Sequence, residues 1–537
     1  MVTKGTMPIP PLSFTTMRTH ESDTGARRTA WAVLAVAIAV RVLAAALLPL
    51  VPDETYYWEW SRHLAAGYLD HPPAIALVIR LGTALLGPTA LGVRLGSVLA
   101  GALASVVLVR VAGALGGDRA RLRAAAIIAC MPLAQLGLAL ATPDATLLLW
   151  WALVLAALAA VARGRDEGRA AIVAWALAGA ALGAALCTKY TAFLLAAGVA
   201  VALLALRSVH GSRRSAPDIA GPCVAVAAAL FVFAPNLIWN AAHGWVSFAY
   251  QLAHGLALHR GSPLAHEARL LGGQLGLVSP LLFAVLAIPL WRALRAHRDD
   301  ARDDRDGDIR FTFATIAALT WLAFVLSALR SAVEPNWQAP AYLSAIVLAA
   351  TCDGGARPER WRTLVRAACA LGVAMTIGIY AHAVTPFVPT NAALDPTLAG
   401  FGWDTLAAHV AAAREDAPRG AASWVAGERY QEASELAFQL PDRPVTFAID
   451  VHARASQYDL WPPFPRYARI GERLVLVLGL FTDPEHDPVI AALRPHFGRV
   501  ALRDVVALRR GAIIRARRRI WVLDGWRGSW PEAGLVR

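Results

Sequence analysis

The sequence predicts an all-α, polytopic membrane protein carrying a C-terminal α/β domain, and three observations predict it. Hydrophobic residues make up 57% of the 537 residues and charged ones only 17%, and many apolar runs approach the roughly 20 residues that cross a bilayer. Arginines collect in alternate connections between these runs, which is the bias expected of cytoplasmic loops. After about residue 384 the chain turns polar for roughly 150 residues, an ordinary size for one domain.

Taken in order, residues 1–28 form a polar tail, followed by an apolar run over 29–50. That run is too long for a signal-peptide core and no small-residue cleavage site follows it, so it reads as a retained first helix with a cytoplasmic N-terminus. Counting continues with spans near 91–115, 122–140, 144–162, 171–187, 190–206, 220–239, 271–291, 311–330, 338–352 and 363–383, about eleven in all, which form one transmembrane module over 29–383. Starting inside, the arginine-rich connections 118–123, 163–169, 207–214, 292–310 and 357–366 are cytoplasmic. The connections 51–90, 142–144, 189, 240–270 and 331–337 fall on the other face. An odd number of spans leaves 384–537 on that outer, periplasmic side. Within it, runs at 445–449 and 474–478 read as buried strands, with helices at 432–440 and 488–493.

Composition also excludes. The net charge of +13 is distributed as loop arginines, with no basic motif or fold signature of nucleic-acid binding. The five cysteines sit in or beside apolar runs without metal-ligand spacing, as packing residues do. No internal repeat marks the chain as a secondary transporter.

Chemistry-bearing residues cluster on the outer face. Asp53 and Glu54 follow the first span, among the interfacial aromatics Tyr56, Tyr57, Trp58 and Trp60; the pair is either a reaction centre or a helix cap. Asp70 and His71 precede the rigid Pro72-Pro73 turn. Asp144 opens a helix, either as its cap or as an acid joining Asp53 and Asp70 around a divalent cation. Lys189 is informative, because 51 residues are Lys or Arg and only Lys4 and Lys189 are lysine. A compact ammonium between two apolar helices suits an anionic ligand; the plain reading is a snorkelling lysine. Asn240 and His243 stand at an outer helix end, as does the Glu334, Asn336 and Trp337 group. Each is either a site element or a structural anchor.

In order, Asp53-Glu54, the run from Tyr68 through Pro73, Thr142-Pro143-Asp144, Thr188 to Thr191, Trp239 to Phe248 and Glu334 to Tyr342 resemble bacterial GT-C glycosyltransferases of the protein-mannosyltransferase-like and aminoarabinose-transferase-like kind. The likeness extends over about residues 29–350. Ser434 to Phe438 and Ser456 to Trp461 resemble the tail of the bacterial subgroup. The resemblance implies inverting transfer of a sugar from a polyprenyl-phosphate donor to an envelope acceptor (lipid A or lipopolysaccharide, another glycan, or protein) at the periplasmic face of the inner membrane. It gives Asp53 the role of general base, with Glu54 in support. Lys189, Arg62 and His71 would hold the donor phosphate, and Asp70 and Asp144 a divalent metal such as Mg, Mn or Zn. Tyr57, Tyr68, Asn240, His243, Glu334, Asn336 and Trp337 would line the substrate site. One position departs: the subgroup has lysine before the double proline, where this chain has His71. The alternatives are a protein O-glycosyltransferase of the same fold and a polyprenyl-phosphate-sugar transporter.

Overall fold

The computed structural model describes residues 23–163, 169–210, 219–256, 262–299, 305–417, 421–449, 454–481 and 487–531. Most of the N-terminal tail and parts of the connections 163–169, 207–214 and 292–310 lie outside these residues. The chain divides into two compact units. A helical unit takes the residues through Ala45, with His71–Ile75 and Arg94–Ile379. A C-terminal unit takes Ala46–Asp70, Ala76–Val93 and Tyr380 onward.

The helices in chain order are α1 (Thr24–Leu47), α2 (Pro52–Arg62), α3 (Ala74–Leu86), α4 (Ala90–Cys130), α5 (Pro132–Gly137), α6 (Pro143–Arg163), α7 (Arg169–Leu186), α8 (Phe193–His210), α9 (Ala220–Ala242) and α10 (Val246–Leu256). They continue as α11 (Pro263–Val278), α12 (Pro280–Asp299), α13 (Arg305–Ala328), α14 (Ala339–Thr351), α15 (Pro358–Val384), α16 (Trp403–Glu415), α17 (Tyr430–Gln439) and α18 (Pro488–Leu493). Among the described residues eight helices are long and apolar enough to span a bilayer, or up to nine if the bent pair α11 and α12 is one span.

Counted by length and apolarity, the spans fall short of the expected eleven at three places. The spans placed at 91–115 and 122–140 are two helices run together as the 41-residue α4, meeting at a kink where Gly116 and Gly117 leave helical geometry; Gly117 takes φ 74°, where glycine carries no Cβ penalty. The span at 271–291 is broken by a 102° bend at Ser279, which itself adopts φ 78°. The span at 338–352 is the 13-residue α14, with every residue buried. A helix of that length rises about 20 Å, short of the roughly 30 Å hydrocarbon core.

The helical unit packs around Trp151, Phe313, Tyr342 and the small residues between them. Helices α7 and α9 approach backbone to backbone: a Cβ on Gly179 would lie 2.1 Å from the Ala225 carbonyl oxygen, and one on Gly183 2.5 Å from that of Ala229. Glycines four apart are the device by which apolar helices close on each other without a hydrophobic driving force. Gly179→Ala is therefore expected to destabilise the bundle by about 1–3 kcal/mol, measured as a lower denaturation midpoint in mixed micelles.

The C-terminal unit is built on a five-stranded sheet in the order β2-β1-β3-β5-β4. Its strands are β1 (Ser423–Gly427), β2 (Thr446–Ala448), β3 (Arg473–Gly479), β4 (Phe497–Arg510) and β5 (Ile513–Trp526). β1 pairs in parallel with β2 and β3, and α17 makes the β1-to-β2 crossover that parallel pairing demands. β5 runs antiparallel to β3 and β4. The expected strands at 445–449 and 474–478 and helices at 432–440 and 488–493 are found as β2, β3, α17 and α18. The β4–β5 hairpin was not expected, since its arginines break the apolar alternation that reveals a strand. One sheet face packs on Leu406, Val410 and Leu436, the other on Phe464, Ile490 and Trp526.

Candidate functional site

In the C-terminal unit the chemistry is organised by α2. Pro52 at its first turn is pre-set for a helix start, and Asp53 and Glu54 complement the N-terminal dipole. The two acids then separate. Glu54 is fully buried, and its Oε2 accepts the Val51 N–H at 3.0 Å, so its carboxylate ties down the helix start. Asp53 is exposed, while the eight residues after it, Glu54 to Ser61, are buried. Its Oδ1 accepts the Tyr430 hydroxyl at 3.0 Å. Burial, and next the Asp53 charge, raise the Tyr430 pKa, so this phenol stays a donor.

One turn on, the Tyr56 hydroxyl donates to Asp70 Oδ2 at 2.7 Å and accepts from the Gln457 N–H at 2.5 Å. Gln457 Oε1 in turn accepts from the Leu69 N–H at 2.8 Å. The loop that ends at Asp70 is thus fixed by the 456–461 segment. Beside Glu54, Glu435 has its pKa pushed well above the usual carboxylate range, chiefly by burial, with the Glu54 charge adding to it. Tyr68 is interior: its hydroxyl accepts from Ala65 N–H and lies 3.1 Å from the Trp60 and His63 carbonyl oxygens. Tyr57 meets Trp60 edge-on at 5.0 Å. Arg62 bonds Glu59 at 2.6 Å and the Arg443 carbonyl at 2.9 Å, and its guanidinium lies 5.0 Å over Trp58.

Glu59 has a titration consequence. Burial raises its pKa from 4.5 to about 7, against a smaller lowering by Arg62. The native state therefore holds this proton more tightly than the unfolded chain. Its contribution to stability is full below about 4.5 and is lost as pH rises through about 7, a change on the order of 3 kcal/mol. Glu59→Gln is expected to remove that component, so that thermal unfolding followed in nanodiscs varies less between those pH values than in the native protein.

In the helical unit Asp144, at the start of α6, is the centre. Its Oδ1 accepts from Lys189 Nζ at 2.6 Å and its Oδ2 from Asn336 Nδ2 at 2.7 Å. Lys189 is buried, and its ammonium lies 5.9 Å from the Trp337 ring centroid. His71 joins this group electrostatically: burial first, then Lys189, lower its pKa to about 3 against the pull of Asp144. The ring is neutral at physiological pH, so at this position the histidine brings hydrogen bonding but no charge. The Ala74 N–H donates to the Cys187 carbonyl at 3.0 Å, which ties the segment after the double proline to the end of α7.

The remaining expected residues fall nearby in sequence but in different roles. Asn240 is fully buried, donating to Tyr190 Oη and Asn236 Oδ1, each at 3.2 Å. His243 is exposed and stacks on Trp239 at 4.1 Å. Glu334 pairs with Arg269 at 2.9 Å. The carboxylates expected at a cation are engaged by Tyr56, Lys189 and Asn336, and among the described residues no three His, Cys, Asp or Glu side chains gather as a metal site. Sequence reasoning saw Tyr56 only as an interfacial aromatic and missed Glu59, Tyr430 and Gln457; of these Gln457 lies within the tail likeness at 456–461, and Tyr430 just ahead of that at 434–438.

Residues 70–239 match the family model described as dolichyl-phosphate-mannose-protein mannosyltransferase. A curated relative, the lipid A galacturonosyltransferase RgtD of Rhizobium johnstonii, is 29% identical over 306 residues, which is 55% of this chain. The chain spans 59% of that relative's length. Among solved structures, ArnT from Cupriavidus metallidurans in the apo state aligns with a TM-score of 0.63 at 17% identity, covering 92% of this chain and 98% of that one. The same protein bound to undecaprenyl phosphate gives 0.62 at 18% identity over the same shares. The oligosaccharyltransferase AglB of Archaeoglobus fulgidus gives 0.52 at 11%, over 84% of this chain and 69% of that one. Residues 70–239 are thus similar to the protein-mannosyltransferase family model, and the chain, with its multi-pass helical unit and C-terminal α/β unit, shares the fold of ArnT and AglB.

Proposed function

We propose that the protein transfers one sugar, with inversion, from a polyprenyl-phosphate donor to an envelope glycolipid at the periplasmic face of the inner membrane. The observation that carries this reading is Asp53: an exposed carboxylate held by Tyr430 at the head of an otherwise buried helix. In the transfer step the acceptor hydroxyl oxygen attacks the anomeric carbon, its proton passes to Asp53, and the bond to the phosphate oxygen breaks with both electrons going to the phosphate. Lys189 would stabilise the charge on that leaving group, which a preorganised ammonium does more effectively in a dry site than in water. One base and one leaving phosphate need no second carboxylate nucleophile, unlike retaining glycoside hydrolysis.

The lipid A relative supports a glycolipid acceptor, and the undecaprenyl-phosphate-bound ArnT supports a polyprenyl donor. The reading is tested by mass spectrometry of polyprenyl-phosphate sugars and envelope glycolipids in cells with and without the gene. Accumulation of one donor together with loss of one glycolipid sugar is expected. Loss of that sugar from a protein moves the acceptor class to protein; unchanged profiles overturn the reading.

A further inference from the structure

The C-terminal unit contains a cavity of about 330 Å³ that the transfer reaction does not use. Glu59 stands on α2 about 9 Å along the axis from Asp53 and on another face of the helix, since six residues turn the helix by about 600°. The cavity's walls are aromatic, with Tyr458, Trp461, Phe464 and Trp530, and its polar groups include the carboxyls of Glu59 and Asp459. Trp461 sets its ring edge-on to Tyr458 at 5.1 Å, and Phe464 lies 5.1 Å from Trp530.

One polar atom here lacks a partner. The Trp530 indole N–H is buried and unpartnered. Glu59, only 2% exposed, accepts from Arg62 through Oε1 and lines the same cavity. Buried polar groups are satisfied in the great majority of cases, so a donor left open in a cavity that also carries carboxyls points to a ligand rich in hydroxyls. The volume is at the lower end of the roughly 300–1,000 Å³ typical of small-molecule sites, which combine apolar walls with a few placed polar groups.

We infer that this cavity binds the ring of an uncharged carbohydrate. A pyranose offers an apolar C–H face to aromatic rings and hydroxyls that both donate and accept. The cavity offers aromatic faces, carboxyl acceptors and an indole donor. Among the described residues no lysine or arginine lines it, which disfavours phosphates and acidic sugars. A cation would also suit aromatic faces beside carboxylates. Against it, Glu59 is drawn towards its neutral form by burial, and a neutral carboxyl matches a polyol better than an ammonium.

The test is saturation-transfer NMR on the full-length protein in nanodiscs, where no sugar detergent competes. The probes are methyl β-D-glucopyranoside, methyl β-D-galactopyranoside, methyl α-D-mannopyranoside and tetramethylammonium. Transfer to the ring protons of at least one glycoside is expected, falling about fivefold or more in Trp461→Ala and in Asp459→Asn, and persisting in Asp53→Asn. The milder Asp459→Asn keeps the test decisive if Trp461→Ala does not fold. Absence of transfer, transfer unchanged in both cavity variants, or transfer to tetramethylammonium alone overturns the inference.

Discussion

Asp53→Asn is expected to lower sugar transfer by about 10²–10⁴-fold, the usual contribution of a positioned general base, while leaving the fold intact. Asparagine keeps an oxygen to accept the Tyr430 hydroxyl, and it is as good a residue as aspartate near a helix start. What it loses is the ability to take a proton from the acceptor. The measurement is transfer by purified variants to the acceptor identified by glycolipid profiling, with a thermal scan of each. Tyr430→Phe, which removes the 3.0 Å bond but leaves the carboxylate, should lose far less. If Asp53→Asn transfers sugar at the native rate, the acid is a helix cap and the mechanism fails.

Lys189→Met is expected to be damaging in two separable ways. Lys189 and Asp144 form a 2.6 Å ion pair with side chains only 10% and 12% exposed. Removing one partner of such a pair strands the other charge, at about 3–5 kcal/mol. Neutralising both partners, as in Asp144→Asn with Lys189→Met, removes the stranded charge and is expected to recover most of that stability. Under the proposed mechanism activity should not recover with it, because the ammonium assigned to the leaving phosphate is gone. Comparing both single variants with the double variant separates the effects. Recovery of transfer in the double variant would show that Lys189 is only a structural partner of Asp144. Lys189→Arg is expected to rescue charge but not transfer, since a planar guanidinium is larger and carries its donors differently.

Legibility from the sequence followed locality. Asp53 at a helix start and Lys189 as one of two lysines stood out because their signal lies within a few residues. The Lys189–Asp144 pair was half visible, since both residues were placed on one face of the membrane, but the pairing depends on packing between α6 and the end of α7. The partners of Asp53 and Tyr56 were out of reach: Tyr430 and Gln457 lie 377 and 401 residues away in the chain. No hydropathy pattern records that residues 46–70 fold with the C-terminal unit. Counting apolar runs overshot because a run reports hydrophobicity, whereas crossing a bilayer also requires length and straightness. Helix α14 fails the first condition, and the α11–α12 pair, with its 102° bend, fails the second.

The long reach of α2 also sets an order of events during synthesis. A ribosome adding about 5–20 residues per second delivers the 377 residues between Asp53 and Tyr430 in roughly 20–75 s. Through that interval Asp53 lacks its Tyr430 partner and Tyr56 its Gln457 partner. Contacts of such sequence separation form late because chain closure must come before their reward. The surroundings of Asp53 therefore mature only after the whole helical unit has been synthesised.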